Sequence, residues 1–92
     1  MKIRVTPEDS VNASPNPFGC PVARAVGRAI NYRASVAVHA EQDGSYSVAC
    51  GNQKFALPEE VGRKIRNFDK EWFGSGPVGV KFKLPCEFEL PL

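Results

Sequence analysis

The chain has 92 residues, 42% of them apolar and 24% charged, and its 12 basic and 10 acidic side chains leave a net charge of +2. That length bounds one domain with a single thin core, burying roughly 60 to 65% of the unfolded surface. The composition excludes the disordered and collagen-like classes, and the charge is too small to imply a polyanionic partner by itself.

Residues 2–5 alternate in polarity and predict a short strand. Thr6-Pro7-Glu8-Asp9 then supplies a cap residue, proline at the first helical position and two acids at the positive end of the helix dipole, which predicts a turn or two of helix. Residues 11–19 carry Pro15, Pro17, Gly19 and two asparagines, the composition of an irregular loop. Asn12-Ala13-Ser14 fits a glycosylation sequon, but without a secretory leader it carries no weight. Cys20-Pro21 opens the next helix, whose apolar face is Val22, Ala25, Val26, Ala29 and Ile30 and whose end is expected at Asn31. Gly27 inside that helix costs about 0.5 to 1 kcal/mol relative to alanine and therefore marks close packing against a neighbour.

Between residues 35 and 73 the apolar period switches from two to about 3.6 at Pro58, so a strand meander runs into an amphipathic helix. A two-residue loop at Asp43-Gly44 would place the valines of the first two strands on opposite faces. A three-residue loop, Asp43-Gly44-Ser45, pairs Ala40 with Val48 and Val38 with Cys50, and unites them. The second turn, Gly51-Asn52, sets Val48 opposite Phe55 and Tyr46 opposite Leu57. One face then carries Val36, Val38, Tyr46, Val48, Cys50, Phe55 and Leu57. The helix that starts at Pro58 buries Val61, Ile65, Phe68 and Trp72 and is expected to stop near Phe73, before Gly74-Ser75-Gly76-Pro77. Val78, Val80, Phe82, Leu84, Cys86, Phe88 and Leu90 share one parity and predict a bent strand or two short ones, interrupted by Pro85. The expectation is an α+β fold in one domain: a mainly antiparallel sheet of four or five strands with two helices packed on one face, in the order β-(short α)-α-β-β-β-α-β.

Catalytic and metal chemistry find little support. Cys20 at a helix N-terminus could have a depressed pKa, but the single histidine, His39, faces away from it, so a structural thiol is the better reading. Cys20, Cys50 and Cys86 show no C-x-x-C spacing and, with His39, lack the close-spaced ligand pairs of a zinc site, so no metal and no cofactor are expected and the cysteines read as reduced core residues. Glu87, Glu89, Asp69 and Glu71 find no partner acid, and no phosphate-binding or nucleophile-elbow motif is present. On the second long helix Arg63, Arg66 and Lys70 fall within about 60 degrees of one another, opposite the apolar stripe. Glu59 and Glu60 partly neutralise that helix through i,i+4 pairs. With Arg24 and Arg28 of the first helix these residues are the candidate binding set of five; a phosphate-binding face would add Arg33, and nucleic acid is one candidate partner. No apolar run approaches the about 18 residues needed to span a bilayer, and Met1-Lys2-Ile3-Arg4-Val5 lacks the apolar region of a signal peptide, which predicts a cytoplasmic protein with no membrane partner.

The helix, three-strand meander and helix also resemble a double-stranded RNA-binding domain in topology. That family reads phosphates with lysines at the start of its second helix, where this chain has Glu59 and Glu60, and the charge sign argues against the transfer. Across most of its length, in Lys2-Ile3-Arg4-Val5-Thr6-Pro7-Glu8-Asp9, Cys20-Pro21-Val22-Ala23-Arg24-Ala25, Leu57-Pro58 and Phe68-Asp69, the chain resembles a family of short uncharacterised bacteriophage and prophage proteins. Residues 83–92 extend past the ending typical of that family. The resemblance implies a small non-enzymatic binder that occupies a host or phage protein, for example as an inhibitor of host defence, using an uncovered sheet face or strand edge. The runner-up is a nucleic-acid-binding accessory protein, and exposed strand edges would also suit a homodimer.

Overall fold

The computed structural model describes residues 1–11, 13–75 and 81–92. Its elements are β1 (Lys2–Val5), α1 (Pro7–Ser10), α2 (Pro21–Ala29), β2 (Val36–Ala40), β3 (Tyr46–Cys50), β4 (Gln53–Ala56), α3 (Glu59–Ser75) and β5 (Cys86–Glu89), an α+β fold in the order expected. Asn12, Val78 and Val80, with the glycines and proline around the last two, lie outside the described residues. Among the described residues the final strand is β5, after Pro85. No helix among the described residues is long and apolar enough to cross a membrane.

The strands form two antiparallel sheets, β1-β5 and β2-β3-β4, rather than one. Two outward-facing backbone groups, one on β2 and one on β1, are paired by other parts of the chain. The outward N–H of Val38 in β2 donates to the Pro17 carbonyl at 2.8 Å, and the Arg4 carbonyl of β1 accepts from the Arg28 guanidinium at 3.0 Å. A ladder group paired in this way is not open to a further strand at that position.

The hairpin between β2 and β3 differs from expectation by two residues. Val38 pairs with Val48 and Ala40 with Tyr46. The Glu41 N–H then donates to the Ser45 carbonyl at 2.7 Å, leaving Gln42-Asp43-Gly44 as the three-residue loop. Gly44 takes φ +89, the left-handed position that closes such a turn, and the Asp43 carboxylate accepts from the Ser45 N–H at 2.9 Å. A slip of two residues preserves side-chain parity, so the expected face survives. The second turn is as expected: Val48 pairs with Phe55, and the Leu57 N–H donates to the Tyr46 carbonyl at 2.9 Å.

That inner face meets the apolar stripes of both long helices. Val22, Ala25 and Val26 of α2 and Val61, Ile65 and Phe68 of α3 are buried with Val38, Val48, Cys50 and Leu57, while Ile3, Val5, Cys86 and Phe88 of the smaller sheet complete the same core. Phe68 sits between Trp72 and Phe82, with ring centroids 6.0 and 6.1 Å away. The outer face of β2-β3-β4 carries short side chains, Ala37, Ser47, Ala49 and Ala56, and the Lys54–Glu41 ion pair, with Ser47 Oγ donating to Glu41.

Asp9 ties α1 to α2. It is 5% exposed, and its Oδ2 accepts from the Thr6 N–H at 2.8 Å, Thr6 Oγ1 at 3.1 Å and Arg28 Nη2 at 2.6 Å. Charge-assisted bonds to a buried carboxylate are the strong kind. Asp9→Ala is expected to destabilise the fold by about 1 to 3 kcal/mol, measured by urea unfolding, whereas Glu87→Gln, at an exposed ion pair, should shift the midpoint far less.

Candidate functional site

The five basic candidates fall into two groups with different neighbours. Arg24 and Arg28 on α2 turn toward α1 and β1: Arg24 donates to the Val11 carbonyl, and Arg28 holds Asp9 and the Arg4 carbonyl. Arg63 and Arg66 on α3 line a groove beside the β2–β3 turn, where Arg66 donates to the Gly44 carbonyl and lies 5.9 Å from the centroid of the Tyr46 ring. Arg63 is 3.7 Å from Glu59, and Lys70 is exposed further along the helix. Three of the five therefore spend donors on backbone carbonyls of their own chain, which holds neighbouring turns in place.

A different surface gathers recognition chemistry. Phe18, Tyr32, Arg24 and Arg33 stand around a groove of about 580 Å³ whose floor includes Ala23 and Val36. Phe18 and Tyr32 are 68% and 66% exposed, high values for aromatic side chains on a small domain. Tyr32 is nonetheless held in position. Asn31 and Tyr32 take φ 57 and 53 after the end of α2, a left-handed pair that turns the chain back over the helix. The Tyr32 N–H donates to the Gly27 carbonyl at 2.7 Å and its hydroxyl to the Arg24 carbonyl at 3.4 Å. Gly27 is where the ring lies: a Cβ there would stand 2.4 Å from Tyr32 Cε1. The close packing expected at Gly27 is thus with an exposed aromatic of its own chain.

Cys20 caps α2, its Sγ accepting from the Ala23 N–H at 3.4 Å. Burial outweighs those donors and pushes its thiol up to about 11, and burial also raises Cys50 and Cys86. The helix terminus that could have activated Cys20 therefore leaves it a neutral thiol. No group of three or more His, Cys, Asp or Glu side chains suited to a metal ion occurs among the described residues.

Asp69 is a carboxylate perturbed by burial. It lies about 40 degrees from Ile65 on the wheel of α3, on the shoulder of the apolar stripe. Gly62 on that shoulder brings the helix onto Tyr46, a Cβ there lying 3.1 Å from Tyr46 Cδ2. Asp69 is half-buried and its Oδ1 has no hydrogen-bond partner among the described residues. Desolvation raises its carboxyl to about 6. The burial of Asp69 was missed, although Gly62 beside it on the wheel was the signal. Tyr32 and Phe18 were missed because neither belongs to a periodic segment.

No family model, curated protein or solved structure matches the chain.

Two outcomes follow from these environments. Folding raises the Asp69 carboxyl from 3.8 to about 6, so between those values the folded state binds more protons than the unfolded state and stability falls as pH rises. Asp69→Asn is expected to match wild type at pH 4 and exceed it at pH 7, by of the order of 1 kcal/mol once the carboxylate's partial exposure is allowed for, in urea melts at both pH values. Iodoacetamide at pH 7.5 should modify all three cysteines far more slowly in the native protein than in denaturant, read by intact mass.

Proposed function

We propose that the protein is a non-enzymatic binding protein that acts by occupying another protein. Following the resemblance to the bacteriophage and prophage family, we read it as phage-derived, working in the host cytoplasm on a host or phage protein, in the manner of an anti-defence or host-takeover inhibitor. The observation that carries the reading is Tyr32, an aromatic held exposed against Gly27 by a left-handed backbone pair. Aromatic and arginine side chains dominate binding energy at protein interfaces, and a side chain already fixed loses little entropy when a partner covers it. Phe18, Arg24 and Arg33 around the same groove supply the composition of such a patch. Holding all three thiols in the neutral form also fits a protein without nucleophilic chemistry.

The test is an affinity pull-down from bacterial host lysate, with and without nuclease, at two salt concentrations. A stoichiometric protein partner should survive nuclease and high salt. Tyr32→Ala should weaken its binding at least about tenfold, the loss typical of removing a hot-spot aromatic. Recovery of nucleic acid alone, lost at high salt and abolished by reversing the charges of Arg63 and Lys70, would overturn the reading in favour of the basic face of α3.

A further inference from the structure

On the far side of the loop that carries Phe18, the same β2 strand borders a second, smaller pocket of about 200 Å³. Its walls include Pro15 and Pro17 of the loop, Val38 and Ala40 of β2, Ile65 and Asp69 of α3, and Tyr46 of β3. The volume lies below the roughly 300 to 1,000 Å³ of sites that enclose drug-sized ligands, and suits a group of side-chain size. The carboxylate of Asp69 is the anionic group in an otherwise mostly apolar wall, and its Oδ1 is buried without a partner among the described residues. Buried carboxylates are ordinarily paired or hydrogen-bonded, and Asp69, only half-buried, keeps accessible surface with which it lines the pocket.

We propose that this pocket binds a primary alkylammonium group, its methylene stem lying along Pro15, Pro17, Val38 and Ile65 and its head on the Asp69 carboxylate. Ammonium fits better than guanidinium for a reason of supply. A guanidinium brings five donors and an ammonium three, while acceptors in the pocket are few. Asn16 Oδ1 already accepts from the Phe18 and Gly19 N–H groups at 3.0 and 2.6 Å, and the neutral Cys20 sulfur is a weak acceptor engaged with Ala23. The titratable and charged groups around Asp69 are Cys20 at the start of α2, His39 on β2, Tyr46 on β3 and, over the Tyr46 ring on its own helix, Arg66. The inference stands on the orphaned carboxylate and is independent of the Tyr32 groove.

The ammonium stabilises the ionised carboxylate, so binding weakens on acidification through the Asp69 titration near 6. The experiment follows backbone amide shifts of the full-length protein with n-butylammonium chloride, with 1-butanol as the uncharged control. Saturable shifts at Cys20, Val38, Ala40 and Ile65 are expected with the amine and not with the alcohol. The affinity should fall about tenfold from pH 7 to pH 5, and this dependence should persist in His39→Gln. Asp69→Asn, which removes the charge while keeping the shape, should abolish binding. In wild type, saturating amine should move the Asp69 carboxyl titration, read by side-chain 13C shift, to lower pH, a result that does not depend on the variant folding. N-acetyl-lysine methylamide separates the sources: binding at least as tight as butylammonium assigns the pocket to a lysine side chain, and its failure beside a positive butylammonium result assigns it to a free amine. Equal response to 1-butanol, scattered unsaturable shifts, or an unmoved Asp69 titration would overturn the proposal. Failure of the Tyr32 pull-down would leave these readings untouched.

Discussion

The packing of α2 against both sheets is the constraint on which the rest of the structure depends. The helix packs on β1 and on β2, and the two sheets to which these strands belong share no ladder. The buried surface of α2 makes this geometry feasible: Val22 and Val26 fill the core while Ala23, Ala25 and Gly27 keep the helix close to its neighbours. Each large aliphatic side chain buried in this way contributes of the order of 1.5 to 3 kcal/mol. On the opposite side of α2, Arg28 reaches Asp9 and the Arg4 carbonyl, so the helix that joins the sheets hydrophobically also fastens α1 and β1 by charge.

Much of this architecture is legible in the residues. Capping signals at Thr6-Pro7 and Cys20-Pro21 place two helix starts, and the alternation from Val36 to Leu57 places the meander and its inner face. Parity was more robust than register. The β2–β3 pairing is shifted two residues from the expected one, with Glu41 opposite Ser45 and the three-residue loop at Gln42-Asp43-Gly44, yet every inward side chain stays inward. Division into two sheets was not legible, and neither were the long-range contacts along their edges, Pro17 reaching Val38 and Arg28 reaching Arg4.

The candidate site was less legible, for related reasons. Basic residues on a helical wheel look free, but Arg24, Arg28 and Arg66 each satisfy a carbonyl distant in sequence. Tyr32 and Phe18 acquire meaning only once the chain after α2 folds back and the proline-rich loop lies along β2. Asp69 shows how a single position on a helix shoulder changes character: on an isolated wheel it belongs to the polar flank, but with Gly62 drawing α3 onto Tyr46 it enters a partly desolvated site.

The Pro17–Val38 hydrogen bond has a consequence for how this molecule can be recognised. An exposed strand edge offers any extended peptide the same backbone donors, and so confers affinity with little discrimination. Here the central donor of the β2 edge is consumed by the chain itself, with the Phe18 groove on one side of that contact and the Asp69 pocket on the other. Generic strand addition at that point must first displace the loop. What remains for an incoming molecule to read along β2 is the shape and charge of side chains, so selectivity at this edge is built in before any partner arrives.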